Sequence, residues 1–327
     1  MTNQTPLDVS KIQQICESVK SEIGQVIVGN EAVIDDLLIC LMCKGHLFMI
    51  GVPGIAKTTL AKTFAMVTGL SWNRVQFTQD LLPADILGHF YFDQQQNEFK
   101  MRKGPVFNEL ILADEINRSS PKTQSALIEA MQERQVTIEG QTMMLPQPFL
   151  VIATKNPIET EGIYPLPEAQ LDRFLLSVEM DYLSKDDELE LLQRKNENMQ
   201  ATISVSPVEE VTSLIGMHHQ VHVADSVLSY LMDIIEKTRE YDQIVMGASP
   251  RAGEQLLYAT KAFALIHGRD YVIPDDVKTV AFKVLSHRLI LSTEAELDGV
   301  STRKIIDDIL SLVPVPDMVE SVVEVSS

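Results

Sequence analysis

The chain has 327 residues, enough for about two domains that each bury a hydrophobic core without disulfide bonds. Hydrophobic residues make up 45% of the sequence and charged residues 22%, which is typical of globular proteins and excludes a disordered or fibrous chain. The formal net charge is −19, so the sequence lacks the basic surplus of a nucleic-acid-binding protein. We therefore expect a folded protein whose partner is not a nucleic acid.

Cysteine content and hydropathy predict the compartment. The sequence contains three cysteines, Cys16, Cys40 and Cys43. That number is too small for a disulfide framework and is typical of a reducing compartment. The first residues lack the basic start and apolar run of a signal peptide, and the longest apolar stretch, residues 37–50, is too short to cross a bilayer. These features predict a cytoplasmic protein without membrane insertion.

Up to about residue 182, short apolar or β-branched runs alternate with helical patterns. The runs predicted as strands are Leu47 to Ile50, Arg74 to Phe77, Glu109 to Ala113, Phe149 to Thr154 and Leu175 to Val178. Continuous apolar runs of this length are typical of strands that are buried on both faces of a parallel sheet. Residues 1–182 are therefore predicted to form an α/β core built around a parallel sheet.

After Tyr182 the predicted strands stop and helix start signals follow one another. Their positions are Ser184, Ser206-Pro207, Ser249-Pro250, Pro274 and Ser301. Serine accepts hydrogen bonds from the free backbone N–H groups of a first helical turn, and proline is favoured at the first helical position. Residues 183–327 are therefore predicted to form an all-helical domain.

The segment Gly51-Val-Pro-Gly-Ile-Ala-Lys-Thr58 lies between a predicted strand and a predicted helix. A glycine-containing loop in that position offers backbone N–H groups to a phosphate, Lys57 reaches the β and γ phosphates, and Thr58 offers a hydroxyl to Mg²⁺. Ala56 replaces the second glycine of the usual P-loop pattern, and an alanine is less easily accommodated there if the residue needs a positive φ. The predicted nucleotide-contacting residues of the loop are Gly51, Pro53, Gly54, Ile55, Ala56, Lys57, Thr58 and Thr59.

Polar residues follow two further predicted strands. Asp114 and Glu115 end the run that begins at Leu110, and Asn156 ends the run that begins at Phe149. In a P-loop fold Asp114 would hold Mg²⁺, Glu115 would polarise the attacking water, and Asn156 would bind that water and a γ-phosphate oxygen. The alternatives are a solvated Asp-Glu turn and an asparagine that only forms the turn before a proline.

Two arginines are further candidates. Arg173 lies at the predicted edge of the same sheet, and Arg251 lies in the first turn of the helix that follows Ser249-Pro250. A cation at a helix N-terminus opposes the helix dipole, so an anion is expected beside Arg251. Either arginine could instead form an ordinary surface ion pair.

These segments together resemble the AAA+ ATPases and, within them, the MoxR group. The resemblance is carried by Gly51 to Thr58, Ala113 to Arg118, Pro121 to Met131, Ala153 to Glu159 with Gly162 and Pro165, Leu166 to Phe174, and Gly247 to Arg251. It extends from about Val28 to Pro316, which is nearly the whole chain. It implies an α/β P-loop core followed by a helical lid domain.

The resemblance also implies roles for individual residues. Asn156 would be sensor 1, Arg251 would be sensor 2, and Arg173 would be an arginine finger that enters the site of the neighbouring subunit. The backbone of Val28 and Gly29 would meet the adenine. Residues 73–107 would form a helix-2 insert and residues 134–145 a pre-sensor β-hairpin. Lys155 replaces a common glutamine of the family beside sensor 1.

The function that follows is Mg²⁺-dependent ATP hydrolysis by a homo-oligomeric ring, expected to be a hexamer. The resemblance implies chaperone-like remodelling or assembly of a client protein, with a partner bearing a von Willebrand factor A domain. One alternative is a nucleotide-dependent regulatory scaffold, against which an intact Glu115 argues. Another is a nucleic-acid motor, against which the net charge and the non-basic hairpin tip, residues 139–141, argue.

Two groups of potential metal ligands are interpreted as structural. Cys40 and Cys43 have the spacing of a zinc pair, but the sequence has no second pair to complete a tetrahedral site. His218, His219 and His222 are expected to form a histidine cluster on a solvated loop.

Overall fold

The computed structural model describes residues 7–158, 162–197 and 204–316. Two parts of the sequence analysis lie outside these ranges. One is Glu159, at the end of one family segment, and the other is the acidic tail of residues 317–327, which is expected to be frayed surface. Among the described residues, contacts divide the chain into two units: residues 15–214 form the first unit, and residues 215–316 with residues 7–14 form the second. The predicted boundary between residues 182 and 183 stays a prediction, and the contacts group residues 183–214 with the first unit.

A five-stranded parallel sheet forms the centre of the first unit. The strands of this unit are β1 Leu47–Gly51, β2 Trp72–Gln76, β3 Gly88–Asp93, β4 Glu98–Lys103, β5 Leu110–Asp114, β6 Gln135–Ile138, β7 Gln141–Met144, β8 Leu150–Lys155 and β9 Leu176–Met180. The central sheet has the order β2-β5-β8-β1-β9, and its pairings are parallel. Every residue of β5 is buried, as expected for a continuous apolar strand covered on both faces. The predicted α/β core and its five strands are confirmed.

Helices connect and cover these strands. Those that begin before residue 215 are α1 Val9–Gly24, α2 Glu31–Met42, α3 Lys57–Thr68, α4 Pro83–Leu87, α5 Pro121–Glu133, α6 Glu168–Leu171, α7 Lys185–Asn196 and α8 Val208–Ser213. The predicted cap Ser184 accepts a hydrogen bond from the Asp187 amide at 3.1 Å. The prediction for Ser206 differs from the structure, because α8 is preceded by Pro207 and has no side-chain cap.

Two antiparallel hairpins extend the first unit. β3 pairs with β4, and β6 pairs with β7. The turn of the second hairpin consists of Glu139 and Gly140, both with positive φ, as in the tight turns that match the twist of paired strands. The two hairpins lie in the ranges predicted for the helix-2 insert and the pre-sensor hairpin.

A buried apolar cluster packs against the strands of the central sheet. It includes Phe48 of β1 and Phe174, whose ring centroids are 5.2 Å apart, together with Ile111 of β5 and Val151 of β8. Packing of this kind leaves little freedom to the strands, so the residues that follow them are held in fixed positions.

The second unit is mainly helical. Its remaining elements are α9 Asp225–Glu240, β10 Ile244–Met246, α10 Pro250–Ile266, α11 Pro274–Leu285, β11 Ile290–Leu291, α12 Thr293–Leu297 and α13 Thr302–Leu312. The predicted caps Ser249 and Ser301 each accept a hydrogen bond from a first-turn amide at 3.2 Å. One detail differs from the predicted all-helical domain, because β10 and β11 form a short antiparallel pair. Across the described ranges, the helices lack the length and apolar character needed to cross a membrane.

Candidate active site

The loop between β1 and α3 has the backbone conformation of a phosphate-binding loop. Gly54 has φ +89° and Ala56 has φ 64°, so both lie in the left-handed region. A Cβ atom at Gly51 would lie 2.8 Å from the Met180 carbonyl oxygen of β9, which leaves room for glycine alone. A Cβ at Gly54 would meet no heavy atom within 4 Å, so the loop is open on that side.

Lys57 begins α3 and its side chain returns over the loop. It is 9% exposed, and its Nζ donates a hydrogen bond of 2.5 Å to the Gly51 carbonyl oxygen. Thr58 in the same turn is half-buried and Thr59 is exposed. A helix N-terminus with a lysine ammonium beside it attracts an anion, because both carry positive charge and N–H donors.

An apolar cavity of about 190 Å³ lies beside this loop. Val28, predicted to meet the adenine, lines it together with Ile55, Ala56 and Thr59 of the loop region. Gly29 does not line this cavity; it lines a second cavity of about 620 Å³. The smaller cavity has the apolar lining that a planar aromatic base requires.

Asp114 ends β5 with its carboxylate almost fully paired. Arg74 of β2 donates from Nε at 3.0 Å and from Nη2 at 2.7 Å, both to Oδ2. Thr154 of β8 donates its hydroxyl to Oδ1 at 2.6 Å. The neighbouring strands on both sides of β5 therefore hold this carboxylate in place.

Glu115 follows in a left-handed conformation with φ 56°. Its amide donates to the Thr154 hydroxyl at 2.8 Å, so one threonine supports both acidic residues. Its Oε2 accepts hydrogen bonds from Gln76 at 2.6 Å and from Arg118 at 2.9 Å. The carboxylate that is predicted to activate water is thus held by two donors.

Arg74, Gln76, Arg118 and Thr154 are contacts that the sequence analysis missed. A usable signal exists in β2, where Arg74 and Gln76 are two positions apart and therefore share one face of the strand. The register places Gln76 opposite Asp114, which brings that face to the carboxylates.

Asn156 directly follows β8 and is 3% exposed. Its Oδ1 accepts a hydrogen bond from the Ile158 amide at 3.2 Å, which is the turn-forming contact considered as its alternative role. Because β8 neighbours both β5 and β1, Asn156 lies at the same edge of the sheet as the loop and the carboxylates. Its role as sensor 1 stays a prediction.

The two predicted arginines belong to different units. Arg173 is half-buried between α6 and β9, and its guanidinium makes no ion pair or hydrogen bond with the residues that the structure describes. Arg251 is the second residue of α10 and is half-buried. The roles of both stay predictions.

The other candidate ligands pack into the structure. Cys40 is buried in α2, and the described ranges contain no group of three or more histidine, cysteine or acidic residues that could hold a metal. His218 is only 3% exposed and packs against Tyr258 with ring centroids 5.3 Å apart. The expectation of a wholly solvated histidine loop is therefore wrong for His218.

The donor set at the carboxyl edge suits Mg²⁺, which prefers hard oxygen ligands. Asp114 supplies a carboxylate at the end of β5, and Thr58 supplies a hydroxyl in the first turn of α3. In the structure the Asp114 carboxylate is paired with the guanidinium of Arg74 at 2.7 Å.

Family models match both parts of the chain. The model described as the ATPase family associated with various cellular activities (AAA) matches residues 46–176. A model described as the AAA lid domain matches residues 236–309.

Individual proteins match nearly the whole chain. It is 44% identical over 296 residues to YeaC of Bacillus subtilis, covering 90% of this chain and 92% of YeaC. It is 41% identical over 312 residues to the chaperone MoxR1 of Mycobacterium tuberculosis, covering 91% of this chain and 81% of MoxR1. A crystal structure of a Cytophaga hutchinsonii protein has a TM-score of 0.87 and 42% identity, covering 94% of this chain and 97% of the other.

Proposed function

Because the chain belongs to the MoxR family of AAA+ ATPases, we propose that it hydrolyses ATP in the presence of Mg²⁺ at the loop between β1 and α3. The observation that carries the proposal is the convergence of three features at one edge of the parallel sheet. These are the loop after β1, the carboxylates after β5 and the amide after β8. Ligands bind at the carboxyl ends of the strands in open α/β sheets.

Each residue has a defined task in this reaction. Lys57 and the first turn of α3 bind the phosphates, and the apolar cavity beside Val28 receives the adenine. Thr58 and Asp114 hold Mg²⁺, which when bound neutralises phosphate charge.

The remaining task is to activate water. Glu115 accepts the proton of the attacking water, after leaving the donors that hold its carboxylate in the present structure. Asn156 holds that water and a γ-phosphate oxygen through its side-chain amide.

The proposed assembly is a homo-oligomeric ring, expected to be a hexamer. Arg173 supports the proposal because a half-buried guanidinium without a partner among the described residues is available to a neighbouring subunit. An arginine supplied in trans stabilises the charge of the γ-phosphate during transfer. Arg251 is assigned the sensor 2 role by analogy with the family.

The proposed use of hydrolysis is chaperone-like remodelling of a client protein, in line with the name of MoxR1. A von Willebrand factor A domain protein is a further proposed partner. The β3–β4 hairpin is the proposed client surface because it exposes Phe92 and Phe99 by 48% and 69%, with their ring centroids 5.3 Å apart. Exposed clusters of large apolar side chains mark sites of protein contact.

Hydrolysis is tested by phosphate release from ATP. Glu115→Gln is expected to retain ATP binding and to lose turnover, because the amide keeps the shape but cannot accept the proton. Glu109→Gln is the matched control just before the same strand, where the carboxylate accepts hydrogen bonds from the Ser71 amide and hydroxyl. Wild-type turnover in Glu115→Gln would contradict the assignment.

Client binding is tested with Glu115→Gln as an ATP-bound trap. Proteins captured by the trap should be lost when Phe92→Ser and Phe99→Ser are added to it. They should be retained with Leu297→Ser, which removes an apolar side chain that is 83% exposed in the second unit. Equal capture by the Glu115→Gln trap with and without Phe92→Ser and Phe99→Ser would exclude the hairpin as the client surface.

A further inference from the structure

The carboxylate predicted to hold Mg²⁺ already has a cationic partner within the chain. Arg74 contacts Asp114 Oδ2 through two nitrogens, at 3.0 and 2.7 Å, and Thr154 takes the other oxygen. Such a carboxylate has little lone-pair capacity left, and its charge is balanced locally. A divalent cation at Asp114 would therefore meet both a crowded carboxylate and a nearby positive charge.

The two partners differ in their freedom to move. The Arg74 side chain is 44% exposed, whereas that of Asp114 is 10% exposed and held by Thr154. Arg74 belongs to β2, the strand at one edge of the central sheet. The Arg74 guanidinium also donates to the Gln76 side-chain oxygen. Arg74 therefore keeps a hydrogen-bond partner on its own strand when a metal ion binds Asp114.

We propose that Arg74 is a resident counterion of Asp114 that competes with Mg²⁺ for the carboxylate. In the nucleotide-free protein the guanidinium neutralises a largely buried charge, which would otherwise be costly to leave unpaired. When Mg²⁺ arrives with nucleotide, the phosphates supply the extra negative charge that favours the metal, and the guanidinium leaves Asp114. Arg74 thus keeps metal ions that arrive without nucleotide off the Asp114 carboxylate. This inference rests on the proposed Mg²⁺-nucleotide site.

The test is a metal titration rather than an activity assay. Mn²⁺ serves as a spectroscopic substitute for Mg²⁺, and its binding is measured by electron paramagnetic resonance on the full chain, without nucleotide and with saturating ADP. Arg74→Met removes the charge and keeps side-chain length, and Arg74→Lys keeps a charge without the two-nitrogen contact. Arg102→Met makes the same substitution at an exposed arginine of β4 and is the matched control.

Arg74→Met is expected to bind Mn²⁺ about tenfold more tightly than wild type without nucleotide, the effect of one competing charge-assisted contact. Arg74→Lys should bind with intermediate affinity, Arg102→Met should match wild type, and the difference should shrink with ADP. Equal or weaker binding by Arg74→Met, or no measurable binding by either protein, would overturn the proposal. A wrong nucleotide site can be told apart from a wrong role of Arg74. If the nucleotide site were wrong, the wild-type protein would fail to bind ADP even without metal.

Discussion

Ala56→Gly tests the local physics of the phosphate loop. Ala56 has φ 64° and ψ 19° and directly precedes α3, at the position where the usual P-loop pattern has its second glycine. A left-handed conformation costs an L-residue about 1 to 2 kcal/mol relative to the right-handed one. Glycine removes that cost, but it loses about 0.5 to 1 kcal/mol through the greater freedom of its unfolded chain. The expected net effect is a stabilisation of about 0.5 to 1 kcal/mol.

The assay is urea unfolding of wild type and variant, combined with equilibrium dialysis of ATP. Ala56 is exposed, so the loss of its methyl group removes little buried area. The matched control is Ala126→Gly within α5, where the backbone is helical and the same substitution should destabilise by about 1 kcal/mol. The two substitutions should therefore have opposite signs, and ATP binding of Ala56→Gly should be retained.

A loss of stability by Ala56→Gly equal to that of Ala126→Gly would refute this reasoning. It would mean that the left-handed conformation carries no strain at this position, or that the methyl group makes a contact that outweighs it.

Three further predictions concern single side chains. Lys57→Ala should abolish ATP binding in equilibrium dialysis, because Lys57 is the cation on the predicted phosphates; unchanged affinity would mean that the loop is not the phosphate site. Thr154→Val should lower the free energy of unfolding by about 2 kcal/mol in urea, since it removes the hydroxyl shared by Asp114 and the Glu115 amide. Thr154→Ser keeps that hydroxyl and should be near wild type. Equal losses of stability in the two variants would contradict the role of the hydroxyl. Burial raises the pKa of the Cys16 thiol to about 12, so Cys16 should resist a disulfide reagent at pH 8 until the protein is unfolded, and rapid native reaction would contradict this.

The parallel sheet could be predicted from the sequence because its strands are continuous apolar runs. β5 and β8 are buried almost throughout, so their composition reports their position directly. The loop residues could be predicted because glycine, lysine and threonine at this spacing are typical of a loop that binds phosphates and Mg²⁺. The short pair of β10 and β11 has no comparable pattern, since three- and two-residue strands are too brief to show a periodicity.

The contacts of Arg74 and Gln76 depend on register and could not be read from spacing alone. Arg74 is 40 residues from Asp114 in sequence, and only the pairing of β2 with β5 brings them together. The left-handed conformation of Ala56 was a conditional expectation, since alanine itself does not signal a positive φ. The buried position of His218 likewise depends on its packing against Tyr258 of α10.

The most direct test of the account is subunit complementation between Arg173→Ala and Glu115→Gln. Each variant alone should be nearly inactive, with Arg173→Ala reduced by about 10³-fold, the lower end of the contribution of an arginine finger. Mixed rings contain interfaces that pair an intact Glu115 with an intact Arg173, so phosphate release should reappear on mixing. No recovery, despite mixed oligomers verified by native mass spectrometry, would contradict an ATPase site that two subunits complete together.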